Sequence, residues 1–278
     1  MLEPQIKTLA QFTDSHGFLF HLDDDNKAEY GDGTSRLGLY WFIVYVKSSP
    51  LWPWLGPFNT GVEDALISPS EPLRYPYDFG KWYGRPGFMS RDNIIPCLCC
   101  LSVMGDWAWI KVLFKKIILR GGFLWNTKRI GQQDESWKVP DWCGFAVIAL
   151  TVRGWISSLS GRQRFFALAL SSPFLHVLDL SLFFSSLIRL IALYRDADDC
   201  GDCINLICVM SAIKESKTET LPSLLSRLVY SGLHPGAGPN NRERIRGFGP
   251  LTSFQHYFAG PKNPPLAEHW KPYLMGSF

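Results

Sequence analysis

Acidic residues at the starts of three predicted helices are the side chains of this chain best suited to chemistry. Paired carboxylates beside aromatic rings are typical of sites that bind or cleave sugars, because glycoside hydrolysis needs one acid and one base or nucleophile. If these helix starts converge, we expect catalytic roles for Asp92 and Asp141. The ligand-binding residues of that site would be Asp32, Arg36, Arg91, Trp82 and Trp142. N-capping is the more common role of Asp and Ser at a helix start, since their oxygens accept from free backbone N–H groups.

A further carboxylate, Asp179, lies in an otherwise apolar helical stretch, with His176 one turn earlier on the same face. A buried carboxylate must be paired, protonated or functional. We expect a structural salt bridge from Asp179 to Arg91 or Arg189, and the alternative is a third catalytic carboxylate. Both interpretations predict that Asp179 is buried.

Seven cysteines raise the question of a metal site. Two Cys-x-x-Cys pairs, Cys97 with Cys100 and Cys200 with Cys203, could together offer four thiolates. The pairs lie far beyond zinc-ribbon spacing, and the first stands in an apolar helix, where cysteine behaves as a small buried apolar residue. The sequence therefore predicts reduced thiols, no metal site and no cofactor.

The elements that would position these side chains are helices. Apolar residues recur at helical spacing after Ser90, and capping residues, prolines and glycines separate the runs. We expect helices over 36–47, 91–104, 105–119, 139–153, 165–194, 198–214, 221–230 and 251–258, with an interruption near Pro173. No stretch alternates apolar and polar residues convincingly, so the fold class is all-α, built from repeated helix hairpins.

The chain is predicted to form a single domain over 1–278. An N-terminal arm spans 1–35, and a proline- and aromatic-rich loop spans 48–88. A proline- and glycine-rich segment closes the chain over 232–278. A loop as long as 48–88 is usually functional or packed by its own side chains, and its tryptophans and tyrosines suit either role.

Composition excludes several classes of protein. A net charge of +3 argues against a polybasic nucleic-acid surface and against an acidic tail. Hydrophobic residues make up 46% and charged residues 19%, so the chain has enough apolar surface to fold. The N-terminus lacks the basic and apolar regions of a signal peptide. Membrane insertion is not expected either, because the one apolar stretch of sufficient length, 165–193, contains Asp179 and Arg189.

Several short phrases together resemble an uncharacterised family of helical proteins found in tailed phages and bacterial genomes. They are Gly31-Asp32-Gly33-Thr34-Ser35-Arg36-Leu37-Gly38, Ser90-Arg91-Asp92-Asn93-Ile94-Ile95-Pro96, Pro140-Asp141-Trp142, Asp196-Ala197-Asp198-Asp199 and Asn263-Pro264-Pro265. The resemblance implies a virion-associated structural or host-recognition protein, found in the virion or the bacterial cytoplasm. Its partners would be other virion proteins or a second copy, with a cell-surface glycan as a further ligand.

The helix hairpins with acidic, aromatic starts also resemble the six-hairpin (α/α) glycosidases. This likeness implies an incomplete (α/α) toroid and a carbohydrate-active enzyme that uses Asp92, Asp141 and Asp179. The chain departs from that family because its periodicity predicts about eight helices, where a closed toroid needs twelve. Since no specific catalytic motif is present, the structural role is the leading hypothesis and the enzyme is the alternative.

Overall fold

The computed structural model of the 278-residue chain describes residues 11–22, 25–31, 33–34, 37–38, 42, 75–77, 91–119, 142–195 and 200–231. The predicted C-terminal segment 232–278 and the helix over 251–258 lie outside these residues. The loop over 48–88 does too, except for its residues 75–77. In the predicted helix over 36–47, the described positions 37, 38 and 42 are helical.

The described part of the chain is mostly helical, as predicted, and contains six α-helices. They are α1 (Arg91–Met104), α2 (Trp107–Leu119), α3 (Trp142–Ser158), α4 (Gly161–Arg195), α5 (Cys200–Glu215) and α6 (Leu221–Ser231). The predicted bounds of α1 agree with the structure, and those of α6 differ by one residue. The end of α2 at Leu119 also agrees, and the other ends differ by one to five residues, because caps and side-chain packing decide where a helix frays.

Helix α4 continues through Pro173, where the sequence predicted an interruption. Proline removes one backbone donor and crowds the preceding turn, which destabilises a helix interior when nothing else supports it. Here one face of α4 packs on α3 and α6 on both sides of the proline, and Pro173 itself lies on the exposed face. Tertiary packing therefore overrides the local preference.

The core lies around α1 and α3. Every residue of α1 from Ile94 to Ser102 is buried, and the helix packs against α3, α5 and α2. A helix that is apolar on all sides must lie inside the fold. Helix α3 contacts α1 on one side and α4 on another, so it links the buried core to the surface helix.

Glycines allow the α1–α2 corner to pack closely on α3. Gly105 ends α1 with φ +73°, and a Cβ at this position would lie 3.0 Å from the backbone of Ser157. A Cβ on Gly154 would lie 2.2 Å from Cδ1 of Ile110. Only a residue without a Cβ fits the first position without strain, so the corner depends on this glycine.

A small hairpin precedes the helices, where the sequence predicted no strand. Strand β1 (His21–Leu22) pairs antiparallel with β2 (Ala28–Glu29). Strands of two residues are too short to produce an alternating pattern, which explains why the sequence did not reveal them. Tyr75 packs onto this arm, edge-on against Phe18 and stacked on Tyr30, and its hydroxyl donates to Asp14 Oδ2 at 2.5 Å.

Candidate functional site

The predicted sugar site falls largely outside the described side chains. Arg91 and Asp92 form the first turn of α1, and Trp142 begins α3, but their side chains are not among those described. The remaining predicted residues, Asp32, Arg36, Trp82 and Asp141, also lie outside the described residues. Convergence of the helix starts therefore stays a prediction. Asp179 is the predicted site residue whose environment the structure does describe.

Asp179 is buried and paired, although with a different partner from the one predicted. Its Oδ2 accepts a hydrogen bond from Arg153 Nη2 at 2.6 Å, and neither side chain is exposed to solvent. The sequence favoured Arg91 or Arg189. Arg153 takes that place because α3 packs along α4, which brings a residue 26 positions away in sequence opposite the carboxylate. We call this pair and its hydroxyl partners the Arg153 network.

Polar groups from the turn between α5 and α6 complete the Arg153 network. Arg153 Nε donates to Thr218 Oγ1 at 2.9 Å, Nη2 also donates to the Thr218 carbonyl at 3.4 Å, and Nη1 donates to the Ala149 carbonyl at 3.3 Å. Thr220 Oγ1 donates to Asp179 Oδ2 at 2.6 Å. A buried guanidinium needs these acceptors, because desolvation disfavours its charge. Burial lowers the pKa of Arg153, while the charge of Asp179 and their hydrogen bond oppose that shift.

The same turn is held in place by the start of α6. Thr220 is the N-cap: its Oγ1 accepts from the backbone N–H of Ser223 at 3.3 Å, and Ser223 Oγ accepts from the Thr220 N–H at 2.8 Å. This reciprocal pair is a capping box with serine in the third helical position. Thr220 thus caps α6 and donates to Asp179 through one hydroxyl. The network joins α3, α4 and the start of α6.

This geometry is that of a structural ion pair. A general acid or nucleophile must reach its substrate, whereas both members of the pair have a side-chain exposure of 0%. Asp179 Oδ2 already accepts from two donors, and its buried Oδ1 has no hydrogen-bond partner among the described residues. We interpret Asp179 as a residue that holds helices together rather than one that contacts a substrate.

An open cavity lies next to the network, at the junction of α1, α3, α4 and the end of α5. It has a volume of about 320 Å³, and its charged lining residues are Arg164, Glu215 and Lys217. Arg164 Nη2 donates to the Ser216 carbonyl at 2.9 Å. The mixed charges favour neither a cationic nor an anionic ligand, so the cavity indicates no substrate class.

Four cysteines form part of the core. Cys97, Cys99, Cys100 and Cys208 are buried thiols. Burial raises the pKa of Cys97 to about 12 and raises that of the other three well above the usual range. A thiol that stays protonated is a poor nucleophile and a poor metal ligand. Within the described residues, no three potential metal ligands come together.

The most unusual surface of the described structure is the outer face of α4. It consists of seven large apolar side chains that are 46–82% exposed: Phe165, Phe166, Leu170, Phe174, Val177, Leu180 and Phe184. Soluble monomers rarely expose a contiguous apolar patch of more than a few hundred Å², and such patches mark contact surfaces. Of the described helices, α4 is the one that is long and apolar enough over Gly161–Phe184 to span a membrane by length and composition.

Sequence reasoning identified the apolar stretch but not its orientation. Periodicity shows which residues of α4 share a face, but both faces of this helix are rich in apolar residues. The one local signal is Asp179, since a carboxylate in an apolar helix must face inward to a partner. That placement would turn Leu170 and Val177 outward.

Comparison with known proteins adds nothing to these observations. No family model, no curated protein and no solved structure matches the chain. Function is therefore inferred from the residues of the chain itself, and the outer face of α4 is the feature that most needs a functional explanation.

Proposed function

We propose that this protein is a structural component of a larger assembly, in the setting of a tailed-phage virion, and that the outer face of α4 is its association surface. The observation that carries the proposal is the row of exposed apolar side chains on that face. Covering apolar surface contributes about 25 cal/mol per Å², so an uncovered face of this kind favours association. The virion setting rests on the resemblance to phage-associated helical proteins.

The Arg153 network supports this role because it fixes α4 to the neighbouring helices. Arg153 and Asp179 connect the middle of α4 to α3, and Thr220 connects it to the start of α6. Removing one partner of a buried pair typically costs about 3–5 kcal/mol, so α4 does not leave the body of the protein easily. A rigid helix loses little conformational entropy when a partner covers it.

We propose that protein, rather than lipid, covers the outer face. Polar groups interrupt the border of the face: His176 and Ser181 lie along its edges, and Arg162 and Gln163 stand at its start. The stretch also contains Pro173 near its middle and the charged Asp179 five residues before its end at Phe184. A charge inside the hydrocarbon core of a bilayer is costly, which makes α4 a poor membrane span.

Mass spectrometry of purified phage particles tests the proposed function. A structural component is expected at a fixed ratio to the major capsid protein, and this ratio should survive repeated density-gradient purification. Loss of the chain during purification, with free protein left in the lysate, would show that it is not a virion component. A Leu170→Glu variant should be incorporated less, whereas Val112→Glu, on an exposed position of α2, should be incorporated normally.

The glycosidase-like alternative, with its incomplete (α/α) toroid, rests on Asp92 and Asp141. Nothing in the geometry of the described residues favours it over the structural role. Hydrolysis assays on bacterial surface polysaccharides distinguish the two functions, because an enzyme would lose activity in both Asp92→Asn and Asp141→Asn while retaining its fold.

A further inference from the structure

Six exposed residues of α4 follow the spacing of a helix–helix interface. The seam consists of Phe166, Leu170, Pro173, Val177, Leu180 and Phe184, at successive intervals of four, three, four, three and four residues. This 3.5-residue repeat is the heptad pattern by which one α-helix packs along another at a shallow angle of about 20°. The other two residues of the outer face, Phe165 and Phe174, flank this row on either side.

The seam is also a palindrome of side-chain types. Read from either end it runs phenylalanine, leucine, a small central pair, leucine and phenylalanine. In an antiparallel pair of α4 helices, the two-fold axis can pass at the level of residue 175. Two residues that face each other across this axis, one from each copy, then have numbers that add up to 350. Phe166 then faces Phe184 of the second copy, and Leu170 faces Leu180. Pro173 faces Val177, which places the smallest residues at the crossing point.

From this self-complementarity we infer that the outer face of α4 binds a second copy of this chain as a two-fold symmetric, antiparallel dimer. A two-fold interface requires one patch that fits itself, and the seam meets that condition. Its six residues carry no charge, so the pairing brings no like charges together. The inference rests on the proposed role of this face in association and names the partner.

The size of the outer face suits a dimer of moderate strength. The seven side chains are 46–82% exposed and present on the order of 600 Å² of apolar surface per copy. Two such faces bury about 1,200 Å² together, the lower end of the range for specific interfaces. Association should therefore depend on concentration in the micromolar range.

Charge exchange across the predicted register tests the dimer. The experiment uses sedimentation velocity on the full-length chain from about 1 to 100 μM. The wild-type protein should form a dimer, and Leu170→Glu should weaken it about a hundredfold or more, because each glutamate would be buried unpaired against Leu180. Val112→Glu is the matched control and should dimerise like the wild type. At sub-micromolar protein, where the monomer dominates, the circular dichroism spectrum and urea midpoint of Leu170→Glu should match those of the wild type, since Leu170 is 82% exposed. The same two measurements verify that Val112→Glu is folded.

The double variant Leu170→Glu/Leu180→Lys is decisive for the register. In the antiparallel dimer each glutamate faces a lysine of the other copy, so the double variant should regain most of the affinity that Leu170→Glu loses. A parallel dimer would place glutamate against glutamate, and the double variant would stay monomeric. Three results would each overturn the inference. They are a double variant that stays monomeric, a wild-type protein that is monomeric at all concentrations, and dimerisation that Leu170→Glu does not affect.

Two further measurements, vesicle flotation and incorporation into particles, distinguish the dimer from lipid binding and from the virion role. If wild-type protein floats with neutral phosphatidylcholine vesicles and Leu170→Glu does not, lipid covers the face and the inference is wrong. If the wild type is monomeric and Leu170→Glu still reduces incorporation into particles, the proposed function holds and the dimer is wrong. If the chain dimerises in the predicted register but is absent from particles, the dimer stands and the virion role fails.

Discussion

The two faces of α4 differ from those of an ordinary surface helix, because apolar residues cover both of them. The inner face contains Asp179, which reaches Arg153 and Thr220 in the protein interior, beside buried Leu175 and Leu182. The outer face presents phenylalanines and leucines to solvent. A surface helix usually turns its apolar stripe inward and its charges outward. Here the single charge points inward to Arg153, apolar residues pack around it, and the outer face is apolar as well.

If the outer face binds a partner as proposed, stability and association are assigned to opposite sides of one helix. Substitutions on the inner face should lower the free energy of unfolding and leave the choice of partner unchanged. Substitutions on the outer face should change association and leave the fold of the monomer intact.

The largest expected effect is on the inner face. Asp179→Ala leaves the Arg153 guanidinium buried without its carboxylate, and we expect a loss of about 3–5 kcal/mol in the free energy of unfolding. Urea denaturation at sub-micromolar concentration, where the monomer dominates, measures it. Ser181→Ala is the control, since the Ser181 hydroxyl donates only to the Val177 carbonyl of its own helix.

Replacing both members of the pair sharpens this prediction. Arg153→Met with Asp179→Leu removes both charges and fills a similar volume, so most of the stability lost in Asp179→Ala should return. A double variant that is as unstable as Asp179→Ala would mean that packing, rather than an uncompensated charge, causes the loss.

A smaller loss of stability is expected at Gly105, in the corner where α1 and α2 pack on α3. Gly105→Ala places a Cβ 3.0 Å from the Ser157 backbone at φ +73°, and we expect about 2 kcal/mol of destabilisation. Gly161 is a matched control, because it also has a positive φ, +52°, but no atom within 4 Å of its Cβ position. Gly161→Ala should therefore cost only about 1 kcal/mol, the cost of the left-handed backbone itself. Equal losses in thermal denaturation would argue against the close approach of the corner to α3.

The buried thiols predict a loss of stability at alkaline pH. Their pKa values are raised in the folded protein, so the unfolded chain releases these protons first, and stability is full below about pH 9 and falls as pH rises toward 12. Each thiol contributes a slope of about 1.4 kcal/mol per pH unit in this range. Urea denaturation under reducing conditions gives the free energy of unfolding at each pH between 9 and 10.5. Cys208→Ala should reduce the slope of this free energy against pH by that amount. An unchanged slope would show that Cys208 does not titrate on unfolding.

The smallest effect on folding is expected on the outer face. Val177→Ala removes apolar atoms from a side chain that is 63% exposed, so the free energy of unfolding should change by less than about 0.5 kcal/mol. This holds at sub-micromolar protein, where the monomer dominates. Loss of more than 2 kcal/mol under these conditions would mean that the residue packs within its own chain.

How much of this could be predicted from sequence depends on how local the cause is. The bounds of α1 follow from a predicted Ser90 cap and from Gly105 at its end, both of which are local signals. The continuation of α4 through Pro173 does not follow from local signals, because packing against α3 and α6 decides it. The sequence identified Asp179 as a buried carboxylate but not Arg153 as its partner, since that pairing depends on how two helices lie together.

The proposed association surface shows the same limit. Apolar residues over 165–184 are visible in the sequence, but whether they face the core or solvent depends on which side of α4 the other helices cover. The sugar site predicted at Asp32, Asp92 and Asp141 requires several helix starts to converge, and that too is a property of tertiary structure. It remains a prediction.

Cross-linking across the proposed two-fold axis tests most directly whether the outer face of α4 is covered by a second copy. Under mild oxidation, Phe166→Cys/Phe184→Cys should form a covalent dimer on non-reducing gels, since these positions face each other in the antiparallel register. Neither single variant should do so, because identical positions lie about 27 Å apart along the pair, and wild-type protein controls for the native cysteines. Absence of cross-linking in the double variant, or a covalent dimer from Phe166→Cys alone, would contradict the account.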